Sequence, residues 1–173
     1  MLKLLTLALA VTIASGRAHG EPTWLLADGC AGSVCLRMEV DKLLRAFPSE
    51  QTRLVDLQLE GHFAPAIEVF LDSSRTPSIT AEIFTVSQGW NIRRMRVHDP
   101  RFRTSSGVGV GSSFGELSGT HEIGWSGLGE GDAVATVPSL GMSFILDQNA
   151  SRAAARGAPL PAGAKVVGIL VVR

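Results

Sequence analysis

The sequence predicts an α+β domain: an antiparallel sheet of about six to eight strands, with two or three short helices packed against it. Three observations carry this. Apolar and polar residues alternate at period two in segment after segment, whereas stretches with helical spacing are few and short. The chain holds 19 Gly and 8 Pro and no Tyr, a composition that suits strands and turns better than a helical bundle. The links between apolar segments are also mostly too short for crossover helices, which favours strands that meet as hairpins.

The elements follow in order. Trp24 to Leu26 is a short apolar piece that enters a Gly-rich turn carrying Cys30 and Cys35. Val34, Leu36, Met38 and Val40 alternate with Cys35, Arg37 and Glu39, which predicts a strand. Asp41 then caps a short helix through Ala46, stopped before Pro48. Strands are expected over Leu54 to Leu59, Ile67 to Leu71 and the β-branched run Ile79 to Val86. After a turn at Gln88-Gly89, the strand Asn91 to Val97 should place Ile92, Arg94 and Arg96 on one face, and Arg93, Met95 and Val97 on the other. Pro100 ends that ladder. Phe102 to Thr104 and Val108 to Val110 flank a tight turn at Ser105-Ser106-Gly107. Ser112 or Ser113 should cap a short helix reaching about Gly119, and Ser113 and Glu116 have the S-x-x-E spacing of a capping box. Ala133 to Val137 and Gly141 to Leu146 form a hairpin pair around Pro138-Ser139. Asn149 to Arg156 is a short helix with Gly157 after it, and Val166 to Val172 is the last strand.

The N-terminus predicts export. Lys3 precedes an uncharged apolar run of eleven residues, Leu4 to Ala14, well short of the roughly 20 needed to span a bilayer. It has the length of a signal-peptide core, and small residues follow at Ala14-Ser15-Gly16 and Ala18-His19-Gly20. Cleavage is expected after Gly20, giving a signal peptide over 1–20 and a single secreted globular domain over 21–173. Asp28-Gly29 before Cys30 makes a poor lipobox. Without Lys3 and Arg17 the Lys and Arg total falls from 16 to 14 against 16 acids, a net charge of about −2. Nothing in that balance points to nucleic acid, and no second long apolar segment predicts a membrane span. In an oxidising compartment the close pair Cys30 and Cys35 is expected to form a disulfide.

Candidate chemistry is sparse. Gly111-Ser112-Ser113-Phe114-Gly115 matches the G-x-S-x-G nucleophile elbow, so a small secreted hydrolase using Ser113 is the alternative reading. That fold needs a mainly parallel sheet, and after Ser113 the only histidine is His121. The local alternative is a helix start that needs Gly and Ser. Gly107 to Gly111 fails the dinucleotide fingerprint, and no phosphate-loop Lys follows. His62, His98 and His121 show no metal-ligand spacing. No cofactor, no metal site and no catalytic set is expected. The densest charge feature is the arginine run Arg93, Arg94, Arg96, Arg101 and Arg103. It reads either as a solvated strand face with edge-protecting charges or as an anion-binding patch formed by Arg94, Arg96, Arg101 and Arg103, since guanidinium suits phosphate or carboxylate. Its partners would be an anionic envelope polymer or lipid headgroups. Nearby acids such as Glu68, Asp72 or Glu82 would cancel such a patch if they paired with it.

Asp99 to Leu117 reads D-P-R-F-R-T-S-S-G-V-G-V-G-S-S-F-G-E-L. This resembles a segment of an uncharacterised family of bacterial periplasmic or envelope proteins with the motif P-x-F-x-T-x-x-G-[IV]-x-[VI]-G-[ST]. It is more weakly similar to a sigma-E-regulated lipoprotein family whose chain also closes on a strand. The resemblance implies a bacterial envelope location, periplasmic or secreted, and brings no activity or catalytic residue. With it, the sequence reads as an exported, non-enzymatic binding or structural module.

Overall fold

The computed structural model describes residues 24–172 apart from 60, 88 and 130, so the expected signal peptide lies outside the described residues. The expected fold class is observed. The chain forms a three-stranded meander, β1 (Leu26–Ala27), β2 (Cys30–Ala31) and β3 (Val34–Cys35), and then helix α1 (Val40–Ala46). Strands β4 (Thr52–Leu59), β5 (His62–Val69), β6 (Ile79–Val86) and β7 (Gly89–Val97) come next. Helix α2 (Phe114–Thr120) leads to β8 (Trp125–Gly129), β9 (Asp132–Val137) and β10 (Met142–Leu146). Helix α3 (Gln148–Ala155) and β11 (Val166–Val171) complete it.

The large sheet has eight antiparallel strands in the order β4-β5-β6-β7-β11-β10-β9-β8. It is two four-stranded meanders joined where the last strand of each meets, with Leu170 opposite Arg96 and Ile169 opposite Val97. Pleating sends alternate side chains to opposite faces. One face carries Ile67, Val69, Ile79, Ala81, Met95, Val97, Phe144, Ile169 and Val171, all buried, and packs against Leu26, Val34, Leu43, Phe102, Val108, Leu117 and Ala150. The three helices, the small meander and the loop after β7 thus form a single cover on that face, and the other face is left open.

Two bulges tune which residues reach the open face. Glu82 pairs with Arg94 but Ile83 pairs with Ile92. Arg93 is therefore the extra residue of a β-bulge. Ile92 is consequently buried on the core side and does not share the face of Arg94 and Arg96, as strict alternation had predicted. The same occurs on β11, where Ile145 pairs with Gly168 and Leu146 with Val166, leaving Val167 extra and exposed.

The expected strand over Val34 to Val40 stops at Cys35. Arg37 adopts φ 64° and turns the chain. Its backbone N–H then donates to Ile92 O, and Ile92 N–H donates to Met38 O, so the following residues flank β7. Helix α1 begins one residue before Asp41, which lies in its first turn and favours the helix dipole without capping it. Strand β8 was not expected. Nor were β1 and β2, which form where a short apolar piece and a Gly-rich turn were expected; the strands of the large sheet other than β8 and the three helices lie within about five residues of their predicted places. Cys30 and Cys35 are bonded, as expected, across a register pair of the small meander with Cα atoms 4.0 Å apart. No helix among the described residues is long and apolar enough to cross a membrane.

Candidate functional site

On the open face the central strands hold a groove of about 590 Å³. Strands β5 to β7 supply Glu68, Thr80, Glu82, Arg94 and Arg96, with His98 just beyond; β9 to β11 supply Val134, Thr136, Ser143, Ile145 and Leu170. Leu57 of one edge strand and Trp125 of the other also line it. These strands are the two ends of the sheet order. The right-handed twist of the sheet brings opposite corners round to the same groove.

The acidic and basic residues on this face are mostly paired across strands. Arg94 donates to Glu82 Oε1 from Nη2 at 2.6 Å and Nε at 3.2 Å, and Glu82 is only 7% exposed. Arg53 and Glu68 face each other in register, with Arg53 Nε donating at 2.8 Å. His98 Nε2 lies 3.2 Å from the Thr80 hydroxyl. Burial pushes the His98 pKa below its ordinary value of 6.5, the Arg96 charge pushes it further, and Glu68 opposes both. His98 is therefore mainly neutral at neutral pH.

Arg96 is the exception. Its Nε is buried and has no hydrogen-bond partner, the one such side-chain nitrogen or oxygen among the described residues. No ion pair among the described residues includes it. The guanidinium lies over Gly168 of β11, where an added Cβ would stand 3.3 Å from Nε, so a larger residue there would crowd it. The side chain as a whole is half-buried, and it is the Nε alone that is closed off from solvent without a partner, which is costly.

The four arginines of the anion-patch reading are not brought together. Arg94 and Arg96 line the groove, but the strand beside β7 on that side is β11 and not the segment that carries Arg101 and Arg103. Arg101 instead clasps the loop. It donates to Asp99 from Nε at 3.0 Å and to Asp72 from Nη2 at 2.7 Å, and it lies 4.1 Å over the Trp24 ring. Burial pushes the Asp99 pKa up, but hydrogen bonds from the Arg101 side chain and backbone and from Ser78 outweigh it and hold the carboxyl below its ordinary range. Arg103 bridges Leu25 and Gly109, with Nη1 3.3 Å from the Ser112 hydroxyl. A Cβ at Gly109 would collide with the Phe102 carbonyl oxygen. The Gly-rich motif is thus explained by backbone packing.

Ser113 is a helix cap. Its hydroxyl accepts from Glu116 N–H at 3.2 Å and donates to the Glu116 carboxylate at 2.8 Å, while its own N–H donates to that carboxylate at 2.6 Å. The backbone N–H and then the hydroxyl of Ser113 lower the Glu116 pKa. The nearest hydroxyl to His121 is that of Ser106, 2.7 Å from Nε2, and no carboxylate among the described residues orients that imidazole. No group of three or more His, Cys, Asp or Glu side chains that could hold a metal occurs among the described residues. Sequence reasoning missed Thr80, Glu82 and His98 as groove residues. The available sign was Glu82 itself, an acid within the apolar run Ile79 to Val86.

No protein-family model matches the chain, and no curated protein does. Among solved structures the fold is similar to that of the uncharacterized protein yfeY from Escherichia coli, with a TM-score of 0.56 at 14% identity over 86% of this chain and 98% of that one. At that identity the likeness shows the fold, one that a bacterial protein also uses.

Proposed function

We propose that this is an exported binding module of the bacterial envelope that takes an anionic ligand, a lipid headgroup or an envelope polymer, in the groove of the open sheet face. The observation that carries the reading is Arg96, a guanidinium on the groove wall with a buried Nε and no partner among the described residues. An incoming carboxylate or phosphate would supply the missing charge-assisted hydrogen bonds. Arg94, already held by Glu82, contributes a second positive group beside it. The signal-peptide pattern, the Cys30–Cys35 disulfide and the resemblance of Asp99 to Leu117 to envelope proteins support the location. Ser113 is committed to its cap, so a binding role is favoured over hydrolysis.

The test is retention of the purified protein by phosphatidylglycerol vesicles and by dextran sulfate, at low and high salt. Retention at low salt should fall at high salt, because screening shortens the reach of charge to about 8 Å at 0.15 M. Arg96→Gln should lose most of it, and Arg152→Gln, an equal change of charge on the exposed side of α3 across the sheet from the groove, should keep it. Equal retention of all three proteins on both materials would sink the reading.

A further inference from the structure

The groove is divided along its length. The basic residues come from β7, with Glu68 and Glu82 beside them on β5 and β6, whereas β9 to β11 bring Val134, Ile145 and Leu170 together with the neutral Thr136 and Ser143, with Trp125 beyond them on β8 and a single charge, Asp132, at the start of β9. The seam is the register pair Arg96 and Leu170. Arg96 crosses that seam, because its guanidinium lies over Gly168, one residue pair along β11. The cation without a partner therefore stands at the head of an apolar strip that ends on a half-exposed indole, Trp125 being 49% exposed. A headgroup alone would satisfy Arg96 and leave the strip wet. A neutral apolar molecule would cover the strip and leave Arg96 unpaired in a site of lower dielectric.

We infer that the groove binds a single-chain anionic amphiphile, a fatty-acid or monoacyl-phosphate type of molecule, with its anionic head on Arg96 and its chain along Leu170, Ile145 and Val134 toward Trp125. The inference rests on the groove being the binding site proposed above and adds the ligand class. The volume of about 590 Å³ is within the roughly 300–1,000 Å³ of small-molecule sites. It suits one chain better than a folded polymer.

Calorimetric titration of the purified protein with octanoate, decanoate and dodecanoate, each below its micelle concentration, tests this. Affinity should rise about two- to fourfold per added methylene, the yield of burying a CH₂ group. Dodecyltrimethylammonium, with the same chain and the opposite charge, should not bind. Arg96→Gln should weaken dodecanoate at least about tenfold, the worth of one charged hydrogen bond, and Arg96→Lys should recover part of that. The chain-length series needs no variant, so a folding defect in Arg96→Gln cannot decide the matter alone. Equal affinity for all three acids, or equal binding of the cationic amphiphile, would overturn the inference. If dextran sulfate still bound through Arg96 in that case, the anion-binding reading would stand and only the ligand class would fall. If neither the acids nor dextran sulfate bound, both would fall.

Discussion

Among the described residues, the ion pairs Arg53–Glu68 and Arg94–Glu82 on the open face have the same register geometry and very different surroundings. The Arg53 side chain is 60% exposed, whereas the side chains of Arg94 and Glu82 are 26% and 9% exposed. An exposed pair contributes little, because water and salt already solvate both charges. Removing the arginine from a buried pair leaves a desolvated carboxylate, which is far more costly. Arg94→Gln should therefore destabilise the fold by about 3 kcal/mol, and Arg53→Gln by less than about 1 kcal/mol. Urea unfolding midpoints of the two variants check this, and equal losses would show that burial of Glu82 does not set the difference. Part of this was legible. The arginine cluster stood out, and pairing with Glu82 and Asp72 was foreseen as the arrangement that would cancel a patch. What could not be read was the separation of Arg96 from the others, since it depends on β11, a strand about seventy residues later, lying beside β7.

At the scale of elements, legibility followed side-chain chemistry. Strand β6 was predicted residue for residue, because Ile79 to Val86 is β-branched and lies between turn residues. The Ser113 and Glu116 capping box was legible for the same kind of reason, a local motif whose partners are three residues apart. Strand β8 was invisible. Its sequence is Trp-Ser-Gly-Leu-Gly, and its side chains lie exposed or half-buried at an edge, so no apolar alternation marks it. The bulge at Arg93 was equally hidden, since an extra residue in a strand leaves no trace in composition. The small meander depends on the disulfide. Cys30 and Cys35 close a short loop between paired strands, and the entropy removed from the unfolded chain is worth about 2 kcal/mol. Reduction, or Cys30→Ser with Cys35→Ser, should lower stability by that amount while leaving the eight-stranded sheet assembled. The denatured, unreduced protein should show no reactive thiol. Two free thiols in that assay would contradict the pairing.

For the molecule as a whole, the open face and the loop clasp make stability depend on pH in one direction. Asp99 ties the loop after β7 to β6 through Ser78 and Arg101. Asp147 caps α3 and also accepts from Lys165 N–H at 2.9 Å, joining β10, α3 and β11. The Lys165 backbone bond, and then those of Ala150 and Asn149, outweigh burial and lower the Asp147 pKa, as the Asp99 pKa is also lowered. Both carboxyls thus titrate lower in the folded chain than in the unfolded one. The stability they contribute is present above the ordinary aspartate value of 3.8 and is lost as pH falls through their lowered folded values. His98 adds an earlier stage. The unfolded chain protonates it near 6.5, whereas in the folded chain burial and Arg96 keep it neutral to lower pH. Its contribution is therefore complete above 6.5 and is lost as pH falls from there to the lowered folded value. Acidification should weaken the fold in two stages, the first set by the groove and the second by the loop clasp and the α3 cap. Urea midpoints measured from pH 7.5 down to 3 should decline below about 6.5 and decline again below about 4. His98→Gln should flatten the first stage and leave the second, whereas Asp147→Asn should blunt the second and leave the first. Arg96→Gln removes one cause of the His98 shift while burial remains, so it should shrink the first stage without abolishing it. A midpoint that stays constant between pH 7 and 5 in the unaltered protein would show that His98 does not couple the groove to folding.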